Sequence, residues 1–158
     1  MKNTIILLTM LLFSGIGFAQ ESNNGKQLWA KSFLNEKAPE LTVETWISKK
    51  PDTEGKFVII DFWATWCGPC RKAIPELNEI AKEFSKDVVV IGISDEPVEK
   101  IKAMKEPVIE YYYGVDTKKT MDKILEIKGI PHVIIIDPKG IVRWEGFPLL
   151  ENHKLTPE

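Results

Sequence analysis

The chain has 158 residues and a formal net charge of −2, and 44% of its residues are apolar and 28% charged. These values are typical of one globular domain and exclude global disorder, and the lack of a basic excess argues against nucleic-acid binding. The two cysteines, Cys67 and Cys70, are too few for a disulfide-stapled miniprotein or, by themselves, for a structural zinc site.

The first 19 residues have the three-part pattern of a secretory signal peptide. Lys2 precedes an uncharged run over residues 4–19, and the small residues Gly17 and Ala19 form a cleavage site after Ala19. An uncleaved membrane anchor is the alternative, but the run is shorter than the roughly 20 residues that cross a bilayer. We therefore expect cleavage, no stable membrane insertion afterwards, and a mature protein in the periplasm or on the extracytoplasmic surface, where disulfides persist.

The first half of the mature chain predicts a polar lead-in followed by a strand and a βαβ unit. Residues 20–37 form the lead-in, and the alternating apolar and polar residues of 41–47 indicate a strand. The continuous β-branched and aromatic run over 57–62 is typical of a central strand buried on both faces. Apolar residues at helical spacing predict a helix over 69–84, kinked at Pro75.

The second half continues the alternation of strands and helices and ends in a hairpin. The predicted strands cover 88–93, 109–113, 133–136 and, after a turn over 137–140, 141–147. One predicted helix is capped by Ser94 or Asp95 and ends near Lys105. The next is capped by Asp116 or Thr117 and ends near Glu126. Alternating strands and helices imply an α/β sheet that is covered on both faces.

The cysteine pair lies where a buried strand gives way to a helix. At a helix N-terminus, free N–H groups and the helix dipole stabilise a thiolate, and Arg71 and Lys72 add positive charge nearby. We therefore expect Cys67 to be the exposed, low-pKa nucleophile and Cys70, one turn into the helix, to be more buried. An inert structural disulfide is the alternative, but cysteines at helix N-termini are reactive.

The residues around the pair resemble thioredoxin. Trp-Cys-Gly-Pro-Cys follows a strand that ends in Asp-Phe-Trp. Three further residues stand at positions that the family shares: Asp61, six before Cys67; Pro75, five after Cys70; and Pro131, in Gly-Ile-Pro before a buried strand. The resemblance covers residues 38–148 and implies an α/β, thioredoxin-like fold with a central mixed β-sheet flanked by helices. It also implies a buried Asp61 beneath the cysteines and a cis peptide bond before Pro131.

A longer spacing narrows the resemblance to one branch of that family. More residues separate Cys70 from Pro131 than in plain thioredoxins, and residues 107–120 look like an inserted strand and helix. With the signal peptide, this resembles the extracytoplasmic TlpA/ResA-like thiol-disulfide oxidoreductases. The branch implies a protein-disulfide reductase without a metal or cofactor, supplied with electrons by a membrane thiol donor. Residues 149–158 are too short for the usual last helix, so we expect a missing C-terminal helix.

The resemblance also indicates which residues act. Cys67 would attack the disulfide of a protein substrate, Cys70 would resolve the mixed disulfide, and Asp61 would take the proton of Cys70. Five residues are predicted to bind the substrate around the pair: Trp66, Gly68, Pro69, Ile130 and Pro131. The sequence leaves three kinds of substrate open: apocytochrome c, a membrane enzyme, and misoxidised proteins in general.

Several interpretations stay open beside this one. His132 is predicted to face solvent from its strand and is left out of the catalytic set, and residues 111–113 are either a tyrosine surface patch or strand packing. A thiol peroxidase of a related fold is an alternative function, although Thr65 and the segment before it do not match that pattern. A metal-binding or chaperone module that uses the cysteines and a histidine is the non-enzymatic alternative.

Overall fold

The computed structural model describes residues 28–148, so the predictions for the signal peptide, for the first part of the lead-in over 20–27 and for the tail over 149–158 lie outside the described residues. The strands of the described part are β1 Thr45–Trp46, β2 Phe57–Phe62, β3 Val88–Ser94, β4 Tyr112–Val115, β5 His132–Ile136 and β6 Val142–Gly146. The helices of the same part are α1 Gly68–Glu83, α2 Val98–Ala103 and α3 Thr120–Leu125.

These strands form one mixed sheet in the order β1-β4-β3-β2-β5-β6. β2 pairs in parallel with β3, and β3 with β4, whereas the other three pairings are antiparallel. The parallel pairs are joined through α1 and α2, because a parallel connection needs a crossover that returns the chain to the same edge. A mixed sheet with flanking helices is the architecture that the sequence predicts.

The side chains of the central strand β2 alternate between two buried layers. Ile59 packs on the face covered by α1, where Ile74 of that helix is fully buried, and Ile60 packs on the opposite face with Leu125 of α3. Because successive side chains of a strand point to opposite faces, Asp61 shares the α1 face with Ile59. The continuous apolar run over 57–62 therefore reflects burial on both sides, as predicted.

The first predicted strand, over 41–47, is reduced to the two residues of β1. The alternation of apolar and polar residues is real, but the polar groups of this segment have partners outside a ladder. The Thr42 N–H lies 3.4 Å from the sulfur of Met121, and the Glu44 carboxylate accepts the Thr117 hydroxyl at 2.6 Å. The prediction of a seven-residue strand is therefore wrong: the Glu44 N–H still donates to the carbonyl of Val115, but only Thr45 and Trp46 pair with the neighbouring strand β4 in register.

Helix α2 begins later than predicted and has a different N-cap. Pro97 is the N-cap, without a side-chain hydrogen bond, and the helix ends at Ala103 rather than near Lys105. Ser94 is the last residue of β3, and Asp95 forms an ion pair with Lys119 at 2.6 Å. Neither predicted capping residue caps the helix, because one belongs to the sheet and the other pairs with a distant lysine.

The segment over 107–120 contains β4 and leads into α3. The strand begins three residues later than the predicted 109–113 segment. The N-cap of α3 is Lys119 rather than the predicted Asp116 or Thr117, because the helix begins only at Thr120, but the Asp116 carboxylate still accepts the Met121 N–H at 2.8 Å. This hydrogen bond satisfies one of the backbone donors that the first turn of a helix leaves unpaired.

The terminal hairpin is confirmed. The Gly140 N–H donates to the carbonyl of Asp137 at 2.8 Å, and Gly140 has φ +81°, a backbone conformation that favours glycine. The turn brings β6 back antiparallel to β5, which begins at His132, one residue earlier than predicted.

Candidate active site

Cys67 and Cys70 form a disulfide at the start of α1. Their sulfurs are 2.04 Å apart and their Cα atoms 5.3 Å apart. Cys67 is the N-cap residue of the helix, and the Cys70 N–H points at its Sγ over 3.2 Å. The same N–H would donate to a Cys67 thiolate after reduction, because the first turn of a helix leaves its N–H groups free to bind an anion.

Burial of the pair differs from the prediction at one residue. Cys70 is 0% exposed, as expected, but Cys67 is only 4% exposed in this oxidised form, so the prediction of an exposed nucleophile is wrong here. The carbonyl oxygen of Ile130 lies 3.8 Å from the Cys67 sulfur and covers it. Because the disulfide sulfur carries no proton, this is a contact rather than a hydrogen bond.

The loop before β5 brings the predicted substrate-binding residues beside the pair. The Ile130–Pro131 peptide bond is cis, as predicted. Gly68 and Pro69 are exposed at the start of α1, and the ring of Trp66 is 68% exposed. An open groove of about 180 Å³ runs between Trp66 and Ile130. Trp66, Gly68 and Pro69 therefore expose apolar and backbone groups beside the disulfide, where an extended polypeptide could contact them, whereas Pro131 itself is buried.

Asp61 is fully buried on the α1 face of the sheet. Burial raises the pKa of its carboxyl group to about 7, against a smaller lowering by a hydrogen bond from Tyr111. The Tyr111 hydroxyl lies 3.5 Å from Asp61 Oδ2, and Oδ1 has no hydrogen-bond partner among residues 28–148. A carboxyl group that titrates near neutrality can accept or release a proton at physiological pH.

Two buried residues near the site were not predicted from the sequence. Tyr111 is 4% exposed, which decides the open question in favour of packing at that position. Glu96, 5% exposed, accepts the N–H and the hydroxyl of Thr65 and pairs with Lys100 at 2.7 Å. Only the i,i+4 spacing of Glu96 and Lys100 is visible in the sequence, and nothing there indicates that Glu96 reaches the active-site loop.

The structure corrects the prediction for His132. This side chain is 1% exposed rather than solvent-facing. Its strand is covered on both faces, and His132 pairs with Phe62 across the sheet, their rings stacked with centroids 6.1 Å apart. Because Phe62 and Asp61 are adjacent in β2, the histidine lies on the face opposite the carboxylate.

Comparison with known proteins agrees with this geometry. A family model described as the AhpC/TSA family matches residues 34–145, more than half of the chain. The chain belongs to the AhpC/TSA family. Curated proteins that resemble the chain include several named for thiol-disulfide exchange.

Three curated relatives illustrate the similarity. The thiol:disulfide interchange protein DsbE of Pseudomonas aeruginosa is 29% identical over 154 residues, covering 90% of this chain and 83% of that protein. The thioredoxin-like protein YneN of Bacillus subtilis is 27% identical, covering 68% of each chain. The thiol-disulfide oxidoreductase ResA of Bacillus subtilis is 26% identical, covering 66% of this chain and 62% of that protein.

A solved structure supports the fold assignment. The thioredoxin domain of a thiol-disulfide oxidoreductase from Bacteroides vulgatus superposes with a TM-score of 0.62 at 29% identity, covering 71% of this chain and 86% of that one. The predicted thioredoxin-like fold and the predicted resemblance to ResA-like proteins are therefore confirmed. With the cysteine pair at disulfide distance, the protein is a thiol-disulfide oxidoreductase.

Within residues 28–148, no group of three or more His, Cys, Asp or Glu side chains is arranged to hold a metal ion. In the same range, no helix combines the length and the apolar character needed to cross a bilayer.

Proposed function

We propose that this protein reduces disulfides in protein substrates outside the cytoplasm, through the Cys67–Cys70 dithiol. The observation that carries the proposal is the Cys70 N–H directed at Cys67 Sγ at the N-terminus of α1. It favours the thiolate of Cys67, which is the form that attacks a disulfide. The Gly-Pro sequence between the cysteines, shared with the reducing thioredoxins, supports reduction as the direction.

The reaction takes place in two exchange steps. The Cys67 thiolate attacks one sulfur of the substrate disulfide, so that a Cys67–substrate bond forms and the other substrate sulfur leaves as a thiolate and takes up a proton. The Cys70 thiolate then attacks Cys67 Sγ, which forms the intramolecular disulfide and releases the second substrate sulfur. The substrate gains two electrons and the pair loses two, so a dithiol donor must reduce the pair again.

Asp61 is the proposed base for the second step. Cys70 is fully buried and must lose its proton before it attacks, and Asp61 is the buried carboxyl group on the same face of the sheet. With a pKa of about 7, Asp61 can take that proton directly or through a water molecule. When the pair is reduced again, Asp61 returns this proton to the Cys70 thiolate, which restores the starting state of both groups.

The residues around the pair would bind the substrate polypeptide. The Ile130 backbone, next to cis-Pro131, is positioned to pair with an extended substrate segment across Cys67. Trp66 supplies exposed aromatic surface, and Gly68 and Pro69 are exposed next to Cys67, with nothing within 4 Å of a Cβ placed at Gly68.

The location and the electron source follow from the sequence predictions. Residues 1–19 would direct export and be removed, 20–37 would link, 38–148 would form the catalytic domain and 149–158 the tail. In an extracytoplasmic compartment a membrane protein with a reactive dithiol is the proposed donor. Mass spectrometry of the exported protein should find Gln20 as its first residue; an intact Met1 terminus would reject cleavage.

The activity is tested by insulin reduction with dithiothreitol as electron source. Wild-type protein should accelerate reduction, Cys67→Ser should abolish the acceleration, and Cys70→Ser should accumulate a mixed disulfide with insulin on a non-reducing gel. Lys82→Gln, an exposed change in the last turn of the same helix, is the matched control and should retain activity. Full activity in Cys67→Ser would refute the mechanism, and peroxide consumption without insulin reduction would favour a thiol peroxidase.

A further inference from the structure

A small polar cluster lies on the α1 face of the sheet, in the core layer that also contains the cysteine pair. Asp61, Trp63 and Tyr111 are each at most 4% exposed. Trp63 and Tyr111 belong to the same packed cluster of buried residues as Cys67 and Cys70. Asp61 faces this cluster from the end of β2, and its Oδ2 atom lies 3.5 Å from the Tyr111 hydroxyl.

The sheet register opens the space that Tyr111 occupies. Gly92 of β3 is the direct partner of Asp61 across the parallel pair. A Cβ at Gly92 would stand 3.0 Å from Tyr111 Cε2 and 3.1 Å from Trp63 Nε1, closer than ordinary packing allows. The missing side chain beside Asp61 is therefore what admits the tyrosine ring to the carboxylate.

Few other groups face Asp61. Its partner on β3 is Gly92, which has no side chain, and its partner on β5 is the apolar Val133. The cysteines of α1 lie on the same face, whereas His132 stacks on Phe62 on the opposite one. Among residues 28–148, only burial and Tyr111 shift the pKa of Asp61.

We propose that Tyr111 is a positioning residue for thiol-disulfide exchange, which holds Asp61 through its hydroxyl and so favours the ionised carboxylate that accepts the Cys70 proton. This inference rests on the role of Asp61 in the proposed function. Tyr111 keeps its own proton throughout, and the proton of Cys70 Sγ passes to the Asp61 carboxylate. In this step the Cys70 S–H bond breaks and an O–H bond forms on Asp61, with no change in the oxidation state of either group.

The protonation states of Asp61 and Tyr111 support these two roles. Burial and the neighbouring carboxylate raise the pKa of Tyr111 well above its usual range, so the tyrosine stays neutral and remains a hydrogen-bond donor. A hydrogen bond to the charged form of a carboxyl group lowers its pKa, which opposes the effect of burial. Tyr111 thereby keeps Asp61 ionised at a lower pH than burial alone would allow.

The test is Tyr111→Phe, which removes the hydroxyl and keeps the ring. NMR titration of the Asp61 carboxyl carbon in the oxidised protein should show its pKa rise by about half a pH unit or more, with the pH profile of insulin reduction moving the same way. Tyr112→Phe, which alters the neighbouring half-buried tyrosine, is the matched control and should change neither. Thermal unfolding would show whether each variant is folded.

The outcomes separate this inference from the proposed function. An unchanged Asp61 pKa in folded Tyr111→Phe would overturn the role of Tyr111, whether or not Asp61 acts as the base for Cys70. If the pH profile of Asp61→Asn matches wild type, the proposed role of Asp61 in catalysis fails instead. Tyr111→Phe should shift the pH profile of insulin reduction in the wild-type background but not in Asp61→Asn. That result would support the inference, because it shows that Tyr111 acts through the carboxylate.

Discussion

Glu96 accepts two hydrogen bonds from Thr65, one from its backbone N–H at 2.5 Å and one from its hydroxyl at 2.9 Å. Thr65 lies two residues before Cys67, in the turn that joins β2 to α1, and the Cys67 N–H closes that turn on the Ala64 carbonyl at 3.1 Å. A buried carboxylate on one loop therefore fixes the conformation of the loop that presents the reactive cysteine.

Glu96→Ala should destabilise the protein by about 1–3 kcal/mol, because it leaves the Thr65 N–H without its acceptor in a buried turn. Urea unfolding of the oxidised protein measures this difference in the free energy of unfolding. Glu99→Ala, at an exposed position in α2, is the matched control and should change stability by less than about 0.5 kcal/mol. Equal effects of the two substitutions would contradict the role of Glu96 as an anchor for the turn.

The contribution of Glu96 should depend on pH. Burial acts to raise its pKa, but hydrogen bonds from Lys100 and Thr65 outweigh burial, and the folded-state pKa lies below the ordinary 4.5. Its ionised form therefore stabilises the folded protein above pH 4.5, and that stabilisation is lost as the pH falls through the lowered pKa. In urea unfolding, Glu96→Gln should have a lower free energy of unfolding than wild type at pH 7, and this difference should shrink at pH 3. A difference that grows on acidification would contradict the lowered pKa of Glu96.

The effect of Asp61 on the stability of the protein should depend on pH in the opposite sense to that of Glu96. Its folded-state pKa of about 7 lies above the ordinary 3.8, so wild-type stability should fall as the pH rises from about 4 to 7 while the buried carboxyl group is forced to ionise. Asp61→Asn should be more stable than wild type at pH 8 by at least about 1 kcal/mol, and the difference should vanish near pH 4. Thermal unfolding at the two pH values measures it; an equal stability at pH 8 would show that Asp61 does not have a raised pKa.

Gly92→Ala should destabilise the fold by about 1–3 kcal/mol, because the new methyl group would stand 3.0 Å from the ring of Tyr111 and 3.1 Å from that of Trp63, so that both buried rings would have to shift. Gly68→Ala is the matched control for stability, since open space surrounds that position and alanine favours the helix that begins there. Urea unfolding compares the two. Unchanged stability in Gly92→Ala would show that the rings can move aside freely.

Trp66→Ala should impair substrate binding without weakening the fold. The ring is 68% exposed, so its removal should change the free energy of unfolding by less than about 0.5 kcal/mol. For a folded protein substrate, KM should rise several-fold while the reaction with a small disulfide such as oxidised glutathione changes little, because aromatic surface contributes mainly to contacts with a polypeptide. Equal losses on both substrates would contradict a role in polypeptide binding.

The sequence by itself determined the framework of this protein. The apolar runs over 57–62 and 133–136, the turn at Asp137–Gly140 and the position of Cys67 and Cys70 between strand and helix are local signals, readable because strand periodicity, turn chemistry and the cysteine spacing each depend on adjacent residues. They were enough to predict an α/β sheet and a reactive cysteine pair, and the resemblance of the residues around that pair to thioredoxin implied the thioredoxin-like fold. The structure and the relatives confirm the fold and the thiol-disulfide chemistry.

Only the tertiary structure decided which side chains surround the reactive pair. Glu96 lies 31 residues along the chain from Thr65, and Tyr111 lies 50 residues from Asp61. Neither relationship follows from local pattern, because each depends on how β3 and the segment before β4 lie against β2. The burial of His132 likewise arises from the sheet order, since a strand between two covered faces buries every side chain, whereas the same residues at an edge would meet solvent.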